Sequence, residues 1–124
     1  MYLGGEPYAP TADFAVTRAL VEAAERAGRP VRAGLIQTED AFYATSKEDV
    51  PVLASRGVLA VEMEASTLFT LGALRGVHTG CALVASNAIG DDRFVDAEVL
   101  AVGVDAMVET ALEAGLALRD AGVG

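Results

Sequence analysis

Tryptophan is absent from this 124-residue chain, and cysteine and histidine occur once each, as Cys81 and His78. A lone cysteine closes no internal disulfide, and one cysteine with one histidine cannot furnish the ligands of a structural zinc site. Positive charge is scarce too: 9 basic residues, of which only Lys47 is a lysine, face 18 acidic ones, for a formal charge of -9 at pH 7. That balance argues against binding to nucleic acid by phosphate neutralisation and disfavours an anionic membrane surface. No apolar run approaches the roughly 20 residues of a membrane span, because Glu62, Glu64, Arg75 and Asp91 interrupt the longest ones. Residues 1–10 carry neither the positive segment nor the apolar core of a secretory signal, so the expectation is a cytoplasmic chain. What remains is 52% apolar residues in 12.7 kDa, enough for one domain over residues 1–124 and no more.

Glycine and proline divide the chain into segments of readable period. Residues 11–28 place Val16, Leu20, Ala23, Ala24 and Ala27 at helical spacing, with Thr11 as N-cap, Glu22 and Arg26 paired on the wet face, and Gly28 with Pro30 as the stop. Residues 31–37 are too short for a helix and read as a strand. The spacing then predicts a short helix over 47–56 ending at Gly57, a buried strand over 58–62, and a helix over 63–75 closed by Gly76, with Leu68, Leu71 and Leu74 on one face. The apolar run TGCALVAS, residues 79–86, predicts a third strand buried on both faces. A last helix follows over 96–119, with Val99, Val102, Met107, Val108, Ala111 and Leu112 as core candidates, before a frayed tail over 120–124. Alternating strands and helices imply an α/β fold with a mostly parallel sheet flanked by helices. Ligands of such sheets bind at the carboxyl ends of the strands, here residues 38–43, 62–66 and 86–94.

The most informative of these junctions is GVLAVEMEASTLFT, residues 57–70, where Glu62 and Glu64 interrupt an apolar strand-to-helix turn. Charges are seldom placed there without a partner. A single glutamate would suffice to satisfy the helix N-terminus, and a pair flanking Met63 points instead to a ligand. His78 reads as a surface residue in a turn, Cys81 as a small core residue, and Asp91, Asp92 and Asp96 as a solvated group without metal-ligand spacing.

VEMEAS, the upstream DAFYA and the downstream VASNAIGDD together resemble the carboxyl-terminal half of the nucleoside phosphorylases of the uridine phosphorylase and hexameric purine nucleoside phosphorylase type. The opening segment YAPTADFAVTRALVEAAERAG is similar to a stretch of the same family, so the resemblance covers nearly the whole chain. It implies part of a three-layer phosphorylase-type α/β fold. It also implies a pentosyltransferase that cleaves a nucleoside with inorganic phosphate, without organic cofactor or metal, in a homo-oligomer. By the same resemblance Glu64 is the catalytic carboxylate that accepts hydrogen bonds from the ribose hydroxyls, and Met63 packs on the sugar. Glu62 lies beside the base and ribose pocket, Phe42 stacks on the base while Tyr43 packs, and Ser86 and Asn87 stand where purine-specific members have Ser-Asp.

Asn87 cannot deliver a proton to a purine nitrogen, which tilts the expectation slightly towards uridine. Against that tilt, ATSKED follows the FY pair where uridine phosphorylases carry Gln and Arg. Asp91 or Asp92 could serve as an acid and Arg93 could contact the base, and a solvated turn fits each better. The family's phosphate site lies mostly in an amino-terminal half with a Gly-Asp-Pro-x-Arg segment that this chain lacks, and Gly4-Gly5 opens no strand-to-helix turn to replace it. The alternatives are a non-catalytic nucleoside-binding or assembly module and a hydrolytic nucleosidase.

Overall fold

A computed structural model of the chain describes residues 8–42, 45–89, 91 and 93–123. Tyr43, Ala44, Asp92 and the Gly4-Gly5 pair lie outside the described residues. The elements run α1 (Phe14–Arg26), β1 (Leu35–Thr38), a 3-10 turn (Lys47–Asp49), α2 (Val50–Ser55), β2 (Val58–Glu62), α3 (Ala65–Arg75) and α4 (Ala97–Asp120). β1 and β2 form a two-stranded parallel sheet, with Thr38 opposite Glu62 and a shift in register between Leu35 and Ile36. The chain is therefore an α/β fold with a small parallel sheet flanked by helices.

α1 forms where its apolar period predicts, but its cap is Asp13, not Thr11: the Asp13 carboxylate accepts from the Val16 N–H at 3.1 Å. An aspartate at that position satisfies one of the four orphan donors of a helix start. The helix ends at Gly28, whose φ of 66° only glycine adopts without strain. The expected Glu22–Arg26 pair is replaced by Arg18–Glu22 at 3.6 Å. α1 packs chiefly on α4, where Ala19 and Ala23 meet Ala114 and Leu20 and Leu118 close the sides. Arg29, just past α1, clamps the pair: its guanidinium donates to the Ala106 carbonyl and the Thr110 hydroxyl, both at 2.8 Å, and pairs with Glu109.

The faces of two helices differ from expectation. In α4 the buried residues are Thr110 and Ala114, while Val102 and Leu112 are 69% and 65% exposed and Val99 and Val108 are exposed as well. The acidic residues Glu98, Asp105, Glu109, Glu113 and Asp120 share one face of the helix at 3.6-residue spacing, Val102 and Leu112 fall on that exposed face, and the close approach to Ala19 and Ala23 favours small side chains on the opposite one. In α3 the buried stripe is Ala65, Phe69 and Gly72, and Leu68 and Leu74 are exposed. Gly72 decides that stripe, since a Cβ there would lie 2.5 Å from Thr79 Cγ2.

Residues 79–86 are not a strand among the described residues. They run without turn or bend, with Gly80 against Val16 and Leu20 and Val84 against Gly103, and no strand pairs with them. A strand exists only by its ladder, and apolar composition supplies no neighbour. Pairing also explains why β1 begins at Leu35 and not at residue 31: its first partner is Val58. No large side chain among the described residues is fully buried.

Candidate functional site

The parallel register brings two polar residues, Thr38 and Glu62, side by side at the carboxyl ends of β1 and β2. Thr38 Oγ1 donates to the Glu62 carboxylate and accepts from the Ser66 N–H at 3.1 Å. The other Glu62 oxygen accepts from the N–H groups of Glu64 and Ala65, at 2.7 and 2.6 Å. Three orphan donors of the α3 N-terminus, at residues 64, 65 and 66, are thus satisfied by two side chains that belong to the strands. Burial raises the Glu62 carboxyl, and the bonds from Thr38, Glu64 and Ala65 outweigh it, leaving Glu62 below its ordinary value. Glu62 is therefore held ionised and fully engaged.

Glu64 occupies the N-cap position of α3 without capping it: its side chain makes no cap bond and no other hydrogen bond among the described residues. It is exposed, as is Met63 beside it at 37%. The division of labour is specific: Glu62 fixes the turn, and Glu64 is presented to solvent at the positive end of a helix. Glu39 extends the same strand end, its N–H donating to the Glu62 carbonyl at 2.8 Å and its carboxylate accepting from Gln37 and Thr45.

Phe42 lies four residues beyond β1, 67% exposed. Ser86 Oγ donates to Asn87 Oδ1 at 3.2 Å, and Asn87 Nδ2 donates to the Asp91 carbonyl at 3.1 Å. Arg93 meets Asp91 at 3.5 Å. Asn87, Asp91 and Arg93 line an open concavity of about 600 Å³ with Ala85, Phe94 and Val95. Glu62, Glu64 and Phe42 do not line that hollow.

Two residues at the site have a part that composition does not reveal. Thr38 is visible only once strand register is known. Cys81 is half-buried, and burial first, then the negative charges of Glu62 and Glu64, push its thiol above the ordinary value. The thiol thus stands within electrostatic reach of both carboxylates. His78 has a structural partner: its Nδ1 lies 2.7 Å from Asp13 Oδ2, tying the approach to residues 79–86 to the start of α1.

The sequence pattern of the phosphorylase superfamily matches residues 3–117. A DeoD-type purine nucleoside phosphorylase of Myxococcus xanthus is 38% identical over 113 residues, covering 91% of this chain and 47% of the relative. DeoD-type purine nucleoside phosphorylases of Bacillus cytotoxicus and Bacillus cereus are each 37% identical over 112 residues, covering 90% of this chain and 48% of the relative. The chain belongs to the phosphorylase superfamily. It spans about half the length of the curated relatives it matches. Those relatives carry the purine name, not the uridine name.

Proposed function

We propose that residues 1–124 are the carboxyl-terminal part of a single nucleoside phosphorylase domain, the part that holds sugar and base. In that reaction phosphate attacks the anomeric carbon of a nucleoside, giving the free base and a pentose 1-phosphate. The observation that carries the reading is the unequal use of Glu62 and Glu64. Glu62 is consumed by Thr38 and the helix N-terminus, which leaves a neighbouring carboxylate with all its acceptor sites open at the end of a parallel sheet. An open, rigidly mounted carboxylate binds two vicinal hydroxyls, and those bonds strengthen as positive charge develops on the sugar ring. Met63 then packs on the sugar, Phe42 stacks on the base, and Ser86 and Asn87 face the base edge. Glu62 acts by positioning Glu64, not by touching the ligand.

Phosphate is the nucleophile, and the reading requires no cofactor or metal. A purine nucleoside is the first substrate to test, because the 37–38% identical relatives carry that name. Uridine is the second, favoured by Asn87, which offers an amide and no acid. A cytoplasmic homo-oligomer without nucleic-acid or membrane partners completes the proposal. No helix among the described residues is long and apolar enough to cross a membrane.

The test is chromatographic detection of free base from inosine, adenosine and uridine, with and without phosphate, beside calorimetric titration of each nucleoside into wild type and Glu64→Gln. Phosphate-dependent release, with binding lost in Glu64→Gln, is the expected result. Release without phosphate would replace the phosphorylase by a nucleosidase. Binding without release would leave a nucleoside-binding module. Equal binding by Glu64→Gln would remove the role assigned to Glu64.

A further inference from the structure

The chain between β1 and the 3-10 turn is anchored at both ends and tied across. Past the end of β1 the Glu39 N–H donates to the Glu62 carbonyl at 2.8 Å, which carries the strand pairing one residue beyond Thr38. At the other end the Asp49 carboxylate accepts from the N–H and the hydroxyl of Ser46, both at 2.8 Å. The tie is the Glu39 carboxylate, which accepts from the Thr45 hydroxyl six residues on and from the Gln37 amide two residues back. Gln37, Glu39 and Thr45 are half-buried, whereas Phe42, midway between Glu39 and Thr45, is 67% exposed. None of the ion pairs among the described residues includes Glu39. A half-buried carboxylate without a cation is a costly way to close a loop, and leaving its donors unmatched costs more.

We propose that Glu39 is a positioning residue for the nucleoside: by holding Thr45 it closes the loop that carries Phe42 and fixes that ring relative to Glu64. The inference rests on the reading of Phe42 as the side chain that stacks on the base. Two bonds refer both ligand contacts to one frame. The Glu39 N–H is bonded to the main chain of Glu62, and the Glu62 carboxylate in turn holds the Glu64 N–H at 2.7 Å. A nucleoside joins base to sugar through one bond, so a stacking ring and a hydroxyl acceptor serve it only at a set separation. Ordering the loop before binding removes a cost that the ligand would otherwise meet. Neither Glu39 nor Thr45 belongs to the buried cluster of Ala19, Ala23 and Ala114, so the tie orders the loop and not the core.

The experiment is calorimetric titration of hypoxanthine and uracil, and of inosine and uridine, into the 124-residue chain and its variants, each variant with its Tm. Thr45→Val and Glu39→Ala should raise the Kd of the base that binds roughly three- to tenfold, the cost of ordering a loop side chain on binding. The nucleoside, which must also reach Glu64, should lose at least as much. Thr45→Ser keeps the donor and should bind within about twofold of wild type. The double variant Phe42→Ala, Thr45→Val should bind no more weakly than Phe42→Ala alone, because a residue that acts through another adds nothing once that one is gone. A merely structural tie would lower Tm without that pattern. Should Glu39→Ala unfold, Thr45→Val decides. Wild-type affinity in Thr45→Val beside weakened binding in Phe42→Ala, or full additivity in the double variant, overturns the role of Glu39 and leaves the proposed function standing. Unweakened base binding by Phe42→Ala, or no binding of either base by wild type, overturns the stacking role of Phe42 and the inference with it. The free bases carry no sugar, so the role assigned to Glu64 can fail while the loop tie stands.

Discussion

Replacing Thr38 by valine removes one hydroxyl and nearly no volume, and the structure says what that hydroxyl does. It gives one bond to the Glu62 carboxylate and receives one from the Ser66 N–H. A bond to a charged group contributes about 1.5–3 kcal/mol and one to a backbone donor about 0.5–1.5 kcal/mol. Thr38, Glu62 and Ser66 are only half-buried, so water replaces part of both, and the low ends of the two ranges together give about 2 kcal/mol. For a chain of this size that lowers Tm by roughly 8 °C. The pH dependence identifies the cause. Glu62 has its folded carboxyl below the ordinary value of 4.5, so its contribution is fully present above that value and is lost as pH falls through the lower folded one. Calorimetric Tm values of wild type, Thr38→Val and Thr38→Ser should therefore differ most at pH 7 and converge in part near pH 3, with serine close to wild type at both. Equal gaps at the two pH values, or a serine variant as weak as valine, would show that Thr38 packs rather than holds Glu62.

Alkylation of Cys81 should reach half its maximal rate at a pH above that of an ordinary thiol, and Glu64→Gln should bring the midpoint down by removing one of the two nearby charges. An unmoved midpoint would place Cys81 out of reach of Glu64. Gly72→Ala should cost about 1–3 kcal/mol in chemical denaturation, because the new Cβ meets Thr79 side-chain atoms at 2.5 and 2.8 Å. Wild-type stability there would mean that α3 and residue 79 are free to part. His78→Ala removes the main cause of the lowered Asp13 carboxyl, with the Val16 N–H the next. Since that carboxyl favours the fold above its ordinary value of 3.8 and ceases to as pH falls through the lower folded one, acid unfolding of the variant should begin at higher pH. An unchanged acid limb, followed by circular dichroism, would make His78 the inert surface residue its sequence context suggests.

The elements legible in the sequence are those fixed by local chemistry. Gly28, Gly57 and Gly76 close α1, α2 and α3 within two residues of the expected stops, and β2 spans residues 58–62 as read. What was not legible depends on neighbours. The TGCALVAS run has strand composition and no strand beside it among the described residues, and Thr110 is buried in α4 because α1 and the Arg29 guanidinium approach it. The candidate site divides in the same way. Glu62 and Glu64 stand out because charge in an apolar turn is conspicuous, but nothing in their spacing says which one the helix N-terminus takes. That is decided by Thr38, 24 residues upstream of Glu62, and a cross-strand partner cannot be read without the register.

The same register has an electrostatic consequence for the proposed reaction. It gathers Glu39, Asp40, Glu62 and Glu64 at the ends of β1 and β2, while the arginines in ion pairs among the described residues are committed elsewhere: Arg18 to Glu22, Arg29 to Glu109, Arg93 to Asp91 and Arg119 to Asp120. A dianionic phosphate brought to that strand end meets like charge, and the positive end of α3 is already screened by the ionised Glu62. Phosphate titrated calorimetrically into the chain alone should show no saturable binding, whereas nucleoside should still bind through Glu64. Saturable phosphate binding by the chain alone, lost on substitution of Arg93, would instead place the anion in the concavity between Asn87 and Val95.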